Sequence, residues 1–97
     1  MATYVSFFNF TEQGRATIKD TVKRTEAARK AAEQAGLRIT EILWLQGPFD
    51  FVAITEADDE MAAVAFGFGT LRLGNVTGHT YRAYTAAEMA RALEKLS

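Results

Sequence analysis

The chain has 97 residues, 48% of them hydrophobic and 24% charged, and a net charge of −1. That length suits one domain over residues 1–97, and that composition suits a globular rather than a disordered chain. The near-neutral balance argues against a nucleic-acid or anionic-membrane surface, and the absence of cysteine excludes disulfides, a thiolate nucleophile and cysteine-held metal or iron–sulfur centres. No basic segment followed by an apolar run opens the chain, and no apolar stretch approaches the roughly 18 residues of a membrane span, so the expected setting is cytoplasmic.

Residues 3–10 are rich in β-branched and aromatic side chains and predict a first strand. Thr11-Glu12-Gln13-Gly14 breaks that pattern. Over residues 15–35, Ile18, Val22, Thr25, Ala28, Ala32 and Ala35 recur at spacings of three and four. That spacing predicts a helix whose alanine-rich face lies close to a sheet. Gly36 suits its stop, because glycine enters the left-handed conformation freely. Residues 37–45 predict a second strand, Gln46-Gly47-Pro48 a turn and residues 49–55 a third strand, which together make a hairpin. Asp58 or Asp59 suits the N-cap of a second helix running to Arg72 or Leu73. Gly67 and Gly69 inside it each cost about 1 kcal/mol relative to alanine, which points to close packing or an irregular last turn. Gly74-Asn75 ends that helix, residues 76–84 predict a fourth strand, and Thr85 caps a final helix with Met89, Leu93 and Leu96 on one side.

The order is therefore β-α-β-β-α-β-α. Right-handed crossovers place both connecting helices on one face of the sheet. The predicted fold is α+β: a ferredoxin-like βαββαβ unit with a four-stranded antiparallel sheet plus a C-terminal helix. Strand side chains alternate between faces, yet neither parity is cleanly polar. In the first strand, Tyr4, Ser6 and Phe8 alternate with Val5, Phe7 and Asn9. Both faces are expected to bury something, and a second copy of the chain is the expected cover for the face without helices. The prediction is a homodimer or higher homo-oligomer.

Several segments resemble one family. Tyr4-Val5-Ser6, Thr11-Glu12-Gln13-Gly14, Gly47-Pro48-Phe49-Asp50-Phe51-Val52 and Leu73-Gly74-Asn75-Val76, with Thr80 beyond, are similar to the GYD domain family over about residues 4–84. Its Gly-x-Tyr-Asp motif stands here as Gly47-Pro48-Phe49-Asp50, so a phenylalanine replaces the tyrosine and its hydroxyl. The resemblance implies a fold like the dimeric α+β barrels, and with it the same type of assembly. It brings no reaction.

Candidate functional residues group around that turn and the aromatic strands. Asp50 either accepts bonds from backbone amides of its own turn or presents a carboxylate beside Phe49, Phe51 and Trp44 to a ligand. His79, the sole histidine, is a packed or surface strand residue or an acid–base group. Tyr4, Trp44, Tyr81 and Arg82 line a pocket, or a core or interface. Arg15, Lys19 and Lys23, with Arg24, Arg29 and Lys30, read as a solvated basic helix face interrupted by acids. Glycine-rich nucleotide loops, RNP motifs, HExxH and EF-hand spacing are missing, so no cofactor, metal or nucleic-acid partner is expected. Three functions stay open. One is a small-molecule-binding homo-oligomer with its pocket between sheet and helices or at the subunit junction. Another is a cofactor-independent oxygenase- or isomerase-like enzyme using Asp50, His79, Tyr81 and Arg82. The third is a structural or partner-binding oligomer.

Overall fold

The computed structural model describes residues 1–97. Four strands, β1 (Ala2–Phe10), β2 (Leu37–Trp44), β3 (Phe51–Ala57) and β4 (Val76–Ala83), form one antiparallel sheet in the order β2-β3-β1-β4. The helices are α1 (Glu12–Ala16), α2 (Thr21–Gln34), α3 (Glu60–Leu71) and α4 (Ala86–Glu94), with a 3-10 turn at Ile18–Asp20. The predicted βαββαβ order and added C-terminal helix are thus present, with β1 and β3 central.

The helix expected over residues 15–35 is broken. Thr11 caps α1 by accepting the Gly14 N–H on its hydroxyl, so the helix starts earlier than Arg15. It ends at Thr17 (φ −115°, ψ 31°), and α2 begins only after the 3-10 turn. The break interrupts the phase of the predicted face. Ile18 and Val22 therefore stay 47% and 52% exposed, while Ala28 and the buried Ala32 pack on Leu37 and Ile39. Gly36, at φ 82°, ends this segment in the left-handed region.

A bulge in β2 explains the mixed parity of that strand. Ile39 lies opposite Thr55 and Glu41 opposite Ile54, so Thr40 is an extra residue. Leu37, Ile39, Ile42 and Trp44 consequently share the helix side, while Glu41 and Leu43 face away. The Arg29 guanidinium, donating to the Ile39 carbonyl at 2.6 Å, ties α2 to the bulge. The turn after β2 is longer than expected, because Phe49 and Asp50 belong to it and β3 begins at Phe51.

Asp59 caps α3, its carboxylate accepting the Met61 N–H at 2.9 Å. Close packing at Gly67 and Gly69 is not found: a Cβ built at either meets nothing within 4 Å, and the helix is regular to Leu71. Only Ala63 and Phe66 of α3 reach the core cluster. The core is small, eight buried hydrophobic residues, and the space above it defines the site.

Candidate functional site

Small residues on both helices leave volume where larger ones would close it. α2 packs on β2, α3 touches β3 and β4, and the central strands lie between them. The resulting cleft has a volume of about 1150 Å³, and 20 of its 30 lining residues are hydrophobic. Its floor carries Tyr4, Ser6 and Phe8 from β1 and Phe51, Ala53 and Thr55 from β3; Ala27, Ala28 and Ala31 form one wall and residues 62–71 of α3 the other. The Phe8 ring lies over Gly78, where a Cβ would come within 2.8 Å of it. An aromatic ring packed over a strand glycine in this way covers the space its missing side chain leaves.

Few polar groups interrupt the apolar lining. Ser6, 9% exposed, shares a 2.8 Å hydrogen bond with the Thr80 hydroxyl, which satisfies the buried polar atom on the floor. Arg24 and Asn75 sit together at one end. Arg24 donates to the Thr17 carbonyl and hydroxyl at 2.9 and 2.8 Å and to the Gly14 carbonyl at 3.4 Å, while Gly14 packs against the Asn75 backbone. Sequence reasoning placed Arg24 and Arg29 on a solvated face. Both are half-buried and hydrogen-bonded to backbone carbonyls. No group of three His, Asp or Glu side chains is gathered where a metal ion could be held.

The eight candidates from the sequence fall into separate places. Tyr4 and Phe51 line the cleft, and Trp44 stands beside Phe51 (6.5 Å between ring centres) with its indole N–H 3.2 Å from the Thr21 hydroxyl. Phe49, His79 and Tyr81 lie on the opposite sheet face. There, Phe7 packs on Phe49 at 5.0 Å and on Tyr81 at 6.2 Å, and Phe49 meets His79 at 5.9 Å. Arg82 stacks over Tyr84 at 4.5 Å and pairs with Glu88 at 3.3 Å. The Thr85 amide donating to Glu88, with Arg82 beside it, holds that carboxyl below its ordinary 4.5. Asp50 accepts the Phe10 N–H on its carboxylate at 2.8 Å, and its own N–H donates to the Phe8 carbonyl at 2.8 Å. The turn is thereby fastened to β1.

The segments that flank β1 and β4 also meet. Thr11 donates its backbone N–H to the Asn75 carbonyl at 3.0 Å and its hydroxyl to the Gly74 carbonyl at 2.6 Å. Gln13 reaches the Leu73 carbonyl and the Asn75 side-chain oxygen, both at 3.0 Å. The sequence profile of the GYD domain family matches residues 4–93. The chain belongs to the GYD domain family. Three of the GYD-like segments read in the sequence are thus neighbours in space: Thr11 to Gly14 dock on Leu73 to Asn75, and Asp50 holds the residue just before Thr11. These three segments meet at one end of β1.

Among solved structures, that of MtbAldR superposes with a TM-score of 0.67 at 16% identity, covering 87% of this chain and 53% of the other. This chain therefore spans about half the length of MtbAldR. The structure of TTHA0845 from Thermus thermophilus superposes with a TM-score of 0.57 at 22% identity, covering 89% of this chain and 96% of that one. At such identities the likeness is one of fold. No protein of curated function matches the sequence. No helix is long and apolar enough to cross a membrane.

Proposed function

We propose that this GYD protein is a cytoplasmic homo-oligomer of one-domain chains, each binding a small, largely apolar molecule between its sheet and its helices. The cleft of about 1150 Å³ with its predominantly hydrophobic lining carries the reading. Ligand sites have this character: concave, mostly apolar, roughly 300–1,000 Å³, with a few placed polar groups. An apolar concavity of this extent is a surface that proteins seldom leave wet. Val5, Phe7, Val52 and Ile54 on the opposite face, with Leu43 and Tyr81 52% and 56% exposed, support assembly through that face. The enzymatic alternative has less support, because Asp50, His79, Tyr81 and Arg82 do not converge and the Asp50 carboxylate is engaged by Phe10.

Native mass spectrometry of the protein from its own cells tests the binding half. The native mass is expected to exceed the denatured mass by one small molecule per chain. Equal masses, together with no uptake of a hydrophobic dye, would count against a ligand-filled cleft.

A further inference from the structure

We infer that the cleft selects an amphiphile with an anionic head, a single apolar chain ending in a carboxylate that sits at Arg24. The inference rests on the ligand-pocket reading above and adds the chemical class. Arg24 is the one charged side chain in the lining. None of the chain's carboxylates lies within 4.0 Å of it, since the ion pairs are Met1–Asp58, Arg38–Glu56 and Arg82–Glu88. Its partners are neutral, the Thr17 carbonyl and hydroxyl and the Gly14 carbonyl. They hold the guanidinium in place without neutralising it. Arginine carries five N–H donors in a fork that matches a carboxylate, and these three bonds leave two unused.

Asn75 adds a donor at the same end. Its side-chain oxygen accepts from Gln13, and its amide nitrogen has no partner within the chain. Elsewhere the lining holds no acidic side chain to repel an anion. From Arg24 the wall of α2 continues through Ala27, Ala28 and Ala31 to Ala35, a run of about 16 Å at the helical rise. A partly desolvated cation at one end of a long apolar wall is complementary to an acyl carboxylate and mismatched to a neutral lipid.

The test compares dodecanoate with dodecanol, each below its aggregation limit, titrated into the full chain. Trp44, the only tryptophan, reports through its fluorescence because it stands beside Phe51 of the floor; alanine methyl shifts report from the α2 wall. Dodecanoate is expected to bind at least about tenfold more tightly, the effect of one charge-assisted contact. The preference is expected to vanish in Arg24→Met and to survive in Arg24→Lys. Equal affinity for both probes overturns the anionic-head inference and leaves the apolar pocket standing. If neither probe moves either signal, both readings fall. Signals that change with protein concentration alone, and not with probe, overturn both and identify a second copy as the occupant. The wild-type comparison decides even if Arg24→Met does not fold.

Discussion

Asp50 makes three bonds of 2.8 Å: two hold the hairpin turn to β1, its carboxylate taking the Phe10 N–H and its N–H giving to the Phe8 carbonyl, and the third closes the turn, its carbonyl taking the Leu45 N–H. Only the first depends on the side chain. Asp50→Ala leaves a part-buried amide without an acceptor and is expected to cost about 1–3 kcal/mol in urea unfolding. Asp50→Asn retains an oxygen and is expected to cost less. An alanine variant as stable as wild type would show that the carboxylate is not needed by the turn, and would return it to the candidate ligand contacts. Glycines give an internal contrast. A Cβ at Gly14 would lie 2.0 Å from the Asn75 carbonyl oxygen, which is backbone and already engaged by Thr11. Gly14→Ala must therefore separate the Thr11–Asn75 junction, at about 1–3 kcal/mol or more. Gly67→Ala meets open space and replaces a poor helix former, so it is expected to stabilise by up to about 1 kcal/mol. Opposite signs in thermal unfolding support the junction as described; a neutral Gly14→Ala would contradict it.

At the scale of elements, α4 depends most on its own ends. Nine residues make a marginal helix in isolation, and Met89 and Leu93 on it, with Leu96 just beyond its end, are 46%, 57% and 76% exposed. Its capping box supplies local support: Thr85 N–H donates to the Glu88 carboxylate at 2.8 Å, and Glu88 N–H to the Thr85 hydroxyl at 3.2 Å. The depressed Glu88 pKa means that this support is complete above the ordinary value of 4.5 and is lost as pH falls through the lower folded value. The Thr85 amide shift is expected to titrate below 4.5, with α4 amides losing exchange protection over the same range. An inflection at or above 4.5 would contradict the bond. Such caps were legible because Thr-x-x-Glu is a local signal, and the Asp59 cap and the Gly36 stop were legible for the same reason. The Thr40 bulge was not, since register is decided by a partner strand remote in sequence. Alanines along α2 were read as permission for close approach to the sheet, whereas α2 and α3 border a cleft above it. Arg24 was missed because helical spacing gives a residue's face but not whether a second helix closes over it.

The molecule as a whole exposes more surface than its mass warrants. A monomeric protein of 10.7 kDa is expected to expose about 5500 Å²; this chain exposes 6877 Å². The radius of gyration, 14.7 Å, likewise exceeds the roughly 12.5 Å of a compact chain of this length. The excess, on the order of 1400 Å², compares with the roughly 800 Å² that each partner buries in a standard interface. Exposed apolar side chains include Leu43 and Tyr81 on the open sheet face, Met61 on α3 outside the cleft, and Met89 and Leu93 on α4. Leu43 gives a discriminating test. It lies opposite Val52 and is 52% exposed, so Leu43→Glu should alter the isolated chain by no more than about 0.5 kcal/mol. In a sheet-to-sheet interface it would bury an unpaired carboxylate beside apolar groups, which is strongly unfavourable. Sedimentation velocity is expected to show wild type as a dimer or larger, and Leu43→Glu at the mass of one chain with unchanged circular dichroism. A wild-type chain that sediments alone would refute assembly. A Leu43→Glu dimer that Met89→Glu dissociates would instead place the interface on α4, leaving the open sheet face for another partner.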